Sequence, residues 1–187
     1  MKRIAVYCGS SLGASHDYEK AAIALGHELV QNDIGLVYGG SRTGLMGVIA
    51  NAVLEAGGEV IGILPTHLAQ REIAHEQLTQ LITVDTMHER KHQMIELSDG
   101  FIAMPGGAGT MEEYFEVITW SQIGLHHKPC GLLNVKGYYD PLLHFFEHMV
   151  QEKFVRPEYA VLNLVSDKPQ ELLQLMRQFQ HPDIGSN

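Results

Sequence analysis

What the chain has little of narrows its chemistry first. It holds two cysteines, Cys8 and Cys130, with no C-x-x-C spacing, which fits a reducing compartment better than a disulfide framework. Basic residues are few: 13 Lys and Arg against 22 Asp and Glu leave a formal net charge of -9. Polymeric nucleic acid is held by excess cation, so DNA and RNA are poor partners for such a chain. A small anion can still be held by backbone N–H groups and a few local cations. Long apolar runs are missing, and none approaches the roughly 20 residues of a membrane span. The patch Ile4 to Cys8 behind Lys2 and Arg3 is too short for the apolar region of a signal peptide, and a cytoplasmic location is expected.

The familiar nucleotide fingerprints are missing too. "GGSRTGLM" sets Gly39 and Gly44 at P-loop spacing, but Leu45 and Met46 stand where Lys and Ser/Thr would hold phosphates and magnesium. No strand-to-helix turn reads G-x-G-x-x-G, so a dinucleotide is poorly supported. Cys8 lacks the arginine of a C-x5-R phosphatase loop, since that position is Ala14, and thiol chemistry is not expected there.

What is present is alternation. Apolar β-branched runs ("RIAVYC", "GLVYGG", "EVIGILP", "LITVD", "GFIAMP", "PCGLLNV", "AVLNLVS") alternate with segments of helical period at 17–32, 44–57, 86–98, 110–124, 140–152 and 168–180. Strands without polar alternation are covered on both faces. The class is therefore α/β: a doubly wound, mostly parallel sheet with helices on both faces. At 187 residues and 45% hydrophobic composition the chain fills one core, and a single domain over 1–180 with a flexible 181–187 tail is expected. The polar stretch 65–79 is ambiguous and fits a loop over the site.

Ligands of such sheets bind beyond the carboxyl ends of the strands. Three turns there are rich in Gly or Ser: Gly9 and Ser10 in "CGSS", Gly39 and Gly40 in "GGSRTGLMG", and Gly106, Gly107 and Gly109 in "PGGAGT". Bare backbone before a helix N-terminus suits a phosphate monoester, although glycine also serves tight turns. Thr110 and Glu113 fit a capping box, T-x-x-E, which leaves the upstream glycines unexplained. His88, Glu89 and His92 spell H-E-x-x-H, the letters of a zinc peptidase on a helix; solvated histidines are the competing reading, and no metal is expected. Arg90 and Lys91, in the same stretch, read either as a solvated face or as donors to phosphate or carboxylate. The eight methionines read as core or site lining.

Taken together and in order, "GGSRTGLMG", "MHERK", "PGGAGTMEE" (P-G-G-x-G-T-x-x-E), "VITWSQIGLHHKP" and "GYYDPLL" resemble the Lonely Guy family of cytokinin-activating phosphoribohydrolases across nearly the whole chain. The resemblance implies a Rossmann-like fold, a homodimer or assembly of dimers, no cofactor, and hydrolysis of the N-glycosidic bond of N6-modified adenosine 5'-monophosphates to free base and ribose 5-phosphate. By motif position it implies Arg90 and Glu113 as the catalytic pair. Substrate contacts are implied for Glu72, Lys91, Thr119 and the turn Gly106, Gly107, Ala108, Gly109, Thr110, Met111 and Glu112, beside Gly9, Ser10, Gly39 and Gly40. Ser41 replaces a glycine that many relatives carry and is expected to narrow the phosphate turn; Ala108 stands where plant members often have Tyr. "YFEVITW" and neighbouring helices are expected to pair subunits. Carrier proteins on the same fold supply a non-hydrolytic alternative. A lysine decarboxylase label, also attached to the family, would need a pyridoxal phosphate lysine that nothing in the sequence marks.

Glycosidic cleavage builds an oxocarbenium-like ribose, which a nearby carboxylate stabilises. If Glu113 sits at a helix N-terminus, the dipole favours its ionised form, pointing to a base, nucleophile or electrostatic stabiliser rather than a general acid. Arg90 would hold Glu113 in place or bind the sugar phosphate.

Overall fold

A computed structural model describes residues 1–69 and 74–182. The strands are β1 (Arg3–Tyr7), β2 (Gly35–Tyr38), β3 (Val60–Pro65), β4 (Gln80–Val84), β5 (Gly100–Ala103), β6 (Cys130–Leu133) and β7 (Asn163–Ser166). Between and after them lie α1 (His16–Gln31), α2 (Gly44–Glu55), the one-turn α3 (Thr66–Ala69), α4 (Met87–Glu96), α5 (Ala108–Gln122), α6 (Asp140–Gln151) and α7 (Pro169–Gln178). The seven strands form one parallel sheet in the order β4-β3-β2-β1-β5-β6-β7. Among the described residues no helix is long and apolar enough to cross a membrane.

The alternation of side chains along each strand explains why the strands carry so few polar residues. Ile4, Val6, Leu36, Tyr38 and Ile102 join Leu25, Leu29, Ile49, Val53 and Leu172 in one core, under α1, α2 and α7. Ala5, Tyr7, Val37, Phe101 and Ala103 point the other way and join Met94, Ile95, Tyr114, Val117 and Ile118 beneath α4 and α5. Both faces of the inner strands β3, β2, β1, β5 and β6 are buried, as a parallel sheet wound on both sides requires, while the edge strands β4 and β7 stay partly exposed. Strand order reverses at β1, which has β2 on one side and β5 on the other, and the crevice at their carboxyl ends is where such folds bind ligands.

Three expectations change. The run "AVLNLVS" enters β7 only at Asn163, because Pro157–Leu162 winds into a 3-10 turn in which Tyr159 N–H donates to Arg156 O at 3.0 Å; a short apolar run does not by itself separate strand from helical turn. In "YFEVITW", Tyr114, Val117 and Ile118 are buried in this chain's own core, which leaves half-buried Phe115 and Trp120 and exposed Thr119 as the part of that segment at the surface. The polar stretch 65–79 holds α3, and Ala74 bridges back to Ser41. At the carboxyl end, His181 Nε2 lies 3.1 Å from Ser121 O and its ring packs on His127.

Candidate active site

The turns after β1, β2 and β5 meet over the sheet edge. Gly9 N–H donates to Pro105 O at 3.1 Å, and Leu45 N–H at the start of α2 donates to Gly9 O at 3.1 Å, so the three turns are tied by their backbones. Close approach dictates glycine at two of them: a Cβ on Gly44, at φ +58°, would overlap the Ser10 backbone, and one on Gly106 would overlap Thr110 Oγ1. The meeting encloses a cleft of about 340 Å³ lined by Gly9, Ser10 and Gly39, by Arg90 of α4, and by the α5 start from Gly107 to Thr110 with Glu112 and Glu113.

The helix start differs from the sequence expectation. Gly107 is the N-cap of α5 and supplies no capping side chain, so Thr110 lies in the first turn and Glu113 in the second. The reciprocal T-x-x-E cap does not form there. It forms in part on α4, where Thr86 Oγ1 accepts from Glu89 N–H at 3.1 Å and Glu89 Oε2 accepts from Asp85 N–H at 2.9 Å. That also accounts for H-E-x-x-H: its glutamate caps a helix, His88 and His92 are exposed, and among the described residues no group of three His, Cys, Asp or Glu is placed to hold a metal ion.

With no capping side chain, the first-turn N–H groups of α5 face the cleft as donors for an anion. Gly107 and Gly109 sharpen this point. A Cβ at either meets nothing within 4 Å and neither has positive φ, so packing and backbone strain do not demand glycine there.

Arg90 is buried at 8% exposure, yet its guanidinium is poorly satisfied. Nη2 donates to Gly39 O at 3.4 Å and lies 4.0 Å from Glu113 Oε1, while Nε has no partner. A buried guanidinium with spare donors costs free energy unless something charged completes it. Gly39 makes its seat, since a Cβ there would overlap Arg90 Nη2. Burial pushes the Glu113 carboxyl up to about 7, with Arg90 opposing and Glu112 adding to the rise. The dipole expectation for Glu113 is therefore corrected: in the second turn the helix field has weakened, and desolvation wins.

Other sequence candidates separate. Lys91 does not line the cleft; its ammonium pairs with Glu112 and lies 3.2 Å from Glu116 Oε1. Desolvation alone would lower its pKa, but these carboxylates hold it raised. Gly40, at φ +79°, backs the turn and accepts from His75 N–H at 3.1 Å. Met111 packs on the core. Thr119 is exposed and lies six residues beyond Glu113, roughly 9 Å along the helix. Ser41 is buried, its Oγ 2.9 Å from Thr43 Oγ1, and it does not line the cleft. Glu72 lies outside the described residues. Sequence reasoning missed Val6 and Tyr7, while Met46, Met87 and Met94 supply an apolar wall; the ends of β1 and the α4 period were the available signals.

Comparison with known proteins gives the family and the fold. The profile of a family described as "Possible lysine decarboxylase" matches residues 46–176. A cytokinin riboside 5'-monophosphate phosphoribohydrolase of Arabidopsis thaliana is 49% identical over 187 residues, covering 99% of this chain and 88% of that protein. A probable enzyme of the same name from Oryza sativa subsp. japonica is 47% identical, covering 99% of this chain and 77% of that protein. Among solved structures, the molybdenum cofactor carrier protein of Chlamydomonas reinhardtii superposes with a TM-score of 0.72 at 20% identity, over 94% of this chain and 96% of that one. A molybdenum cofactor binding protein from Rippkaea orientalis gives 0.69 at 22%, over 94% and 95%. These last two establish a shared Rossmann-like fold. With identity near one half running almost end to end, the chain belongs to the Lonely Guy family of cytokinin riboside 5'-monophosphate phosphoribohydrolases.

Proposed function

We propose that this protein hydrolyses the N-glycosidic bond of adenosine 5'-monophosphates, N6-modified ones among them, to free base and ribose 5-phosphate, as in cytokinin activation. The observation that carries the reading is the incompletely paired, buried Arg90 guanidinium set 4.0 Å from Glu113, in a cleft floored by uncapped helix N–H groups. The phosphate takes the α5 N-terminus and spare Arg90 donors. The anomeric carbon then faces Glu113.

In the reaction, a water oxygen bonds to C1' as the C1'–N bond to the base breaks. Ionised Glu113 stabilises the cationic sugar and takes one proton of the attacking water, the departing base takes up a proton from solvent at a ring nitrogen, and Glu113 then returns its proton to solvent. A carboxyl near 7 exchanges that proton readily at neutral pH. Arg90 keeps the ionised form accessible inside a desolvated cleft.

The decarboxylase wording of the family profile implies pyridoxal phosphate, which needs a lysine amine in the site. The described lining of the cleft holds no lysine, and the Lys91 ammonium is committed to Glu112 and Glu116. These residues do not fit that cofactor.

Pairing of two chains belongs to the same reading. Since the inner positions of "YFEVITW" are core, the pairing surface shifts to Ile123 and Leu125, both 64% exposed, and to Phe145 on α6. Exposed Thr119 then meets substrate from a second copy. Sedimentation should show a dimer, and a fully active monomer would refute it.

The test of function is base release from a panel of nucleoside 5'-monophosphates, each beside its nucleoside. Nucleotides should far outpace nucleosides, because phosphate contacts orient the sugar at Glu113. Thermal stabilisation by nucleotide without product would mark a binder instead.

A further inference from the structure

Two adjacent tyrosines reach back to the glycine turn from the corner that follows β6. Tyr138 Oη donates to Gly106 O at 2.6 Å, and Tyr139 Oη donates to Met104 O at 2.6 Å. The corner holds both rings in place. Asn134 Oδ1 accepts from Tyr139 N–H at 2.7 Å, Lys136 Nζ reaches Asp17 Oδ2 at 3.0 Å, and Tyr18 meets Tyr138 edge-on with centroids 5.9 Å apart.

The two hydroxyls act on different peptide units. The Gly106 carbonyl shares its peptide with Gly107 N–H, and in a trans peptide the two point in opposite directions. A carbonyl turned onto Tyr138 therefore turns the N–H of Gly107, a cleft-lining residue, the other way. The Met104 carbonyl shares its peptide with Pro105, which has no N–H. Only Tyr138 can pass polarisation on to a donor.

We propose that Tyr138 is a positioning residue for the anion subsite: its hydroxyl holds and polarises the Gly106–Gly107 peptide so that Gly107 N–H becomes a fixed, stronger donor to the 5'-phosphate. Hydrogen bonds in series strengthen one another. The inference rests on the phosphate placement of the proposed function, supported independently by the partnerless Nε of buried Arg90 in the same cleft. Tyr138 is 41% exposed, so water can replace its hydroxyl at Gly106 O and the fold does not depend on it. Tyr139 is buried, and its loss strands a carbonyl.

The experiment is calorimetric titration of inorganic phosphate into the parent protein, Tyr138→Phe and Tyr139→Phe, beside thermal unfolding and base-release kinetics. Tyr138→Phe should weaken phosphate binding about fivefold, the worth of one modest hydrogen bond. It should raise KM for the nucleotide in parallel and leave kcat within about twofold. Tyr139→Phe should lower the melting temperature and leave phosphate binding unchanged. 3-Fluorotyrosine at position 138, which keeps ring and hydroxyl but donates more strongly, should tighten phosphate, and it decides the matter if the Phe variant is unstable. Unchanged phosphate affinity in Tyr138→Phe, equal losses in both Phe variants, or a parent that binds no phosphate would overturn the proposal. Absence of base release alongside the expected affinity pattern would overturn the hydrolytic reading alone.

Discussion

Replacing Glu113 by Gln should make the protein more stable and nearly inactive, and the stabilisation should depend on pH. The carboxyl rises from an ordinary 4.5 to about 7, mainly through burial. A group whose folded pKa is raised binds its proton more tightly in the native state, so ionising it works against folding. Below pH 4.5 the carboxyl is protonated in both states and no penalty exists; the penalty grows through the interval and is complete above about 7. At 1.36 kcal/mol per unit of pKa, it reaches about 3 kcal/mol. Gln has the same shape and no charge, so Glu113→Gln removes the penalty. At pH 8 the variant should melt roughly 8 °C above the parent, by the usual scaling for a chain of this size. At pH 5 the two should nearly coincide. Turnover should fall about a hundredfold, as expected when one charge facing a developing cation is lost, and parent kcat should rise with pH through an apparent pKa near 7. Differential scanning calorimetry at both pH values, with base release in parallel, checks each part. A melting difference that does not vary with pH would refute the burial argument, and near-normal turnover would refute the catalytic role.

Gly39→Ala puts a methyl into the seat of Arg90 Nη2; turnover should drop at least about tenfold while the melting temperature moves little, and unaltered turnover would show that this seat does not matter. Gly109→Ala fills open space at a helical position, so stability should rise by about 0.5–1 kcal/mol while KM for nucleotide rises, measured by unfolding and initial rates; unchanged KM would mean that no ligand comes close there. Exhaustive chelation should leave base release intact, because the glutamate of H-E-x-x-H is spent on capping α4; chelator-sensitive activity with bound zinc would reverse that reading.

The sheet was legible because its inner strands are covered on both faces and therefore carry the uninterrupted apolar runs that mark a parallel core. The cleft was legible through the glycines of three turns and the Arg90 position one helix turn into α4. Other features depend on long-range contacts that no local window contains. Thr110-x-x-Glu113 and Thr86-x-x-Glu89 have the same spacing, yet only the second pair caps a helix; the first is displaced because α5 begins at Ala108 behind bare Gly107. Local reasoning from the helix dipole kept Glu113 ionised, whereas its protonation is governed by burial against elements distant in sequence. Ser41 looked like an intrusion into the phosphate turn, but its hydroxyl turns onto Thr43, a rotamer choice that spacing cannot express.

The residues that resist local explanation converge on one place. Stability alone would favour alanine over glycine at position 109, a side-chain cap at Gly107, a neutral residue at 113, and something less demanding than a buried arginine with a partnerless Nε at 90. Each departure costs stability and all four line the same cleft, while the Lys91 cluster just outside it is paired on two sides. Consistency among local preferences is what specifies a fold, and its concentrated failure marks where a ligand must complete the structure. In the proposed function, a phosphate monoester supplies what is missing at two of these residues: acceptors for the helix N–H groups and for the spare Arg90 donors. A sugar that becomes cationic during cleavage supplies what Glu113 lacks. The same nucleotide thus answers the defects at both ends of the cleft, which a ligand carrying phosphate alone does not.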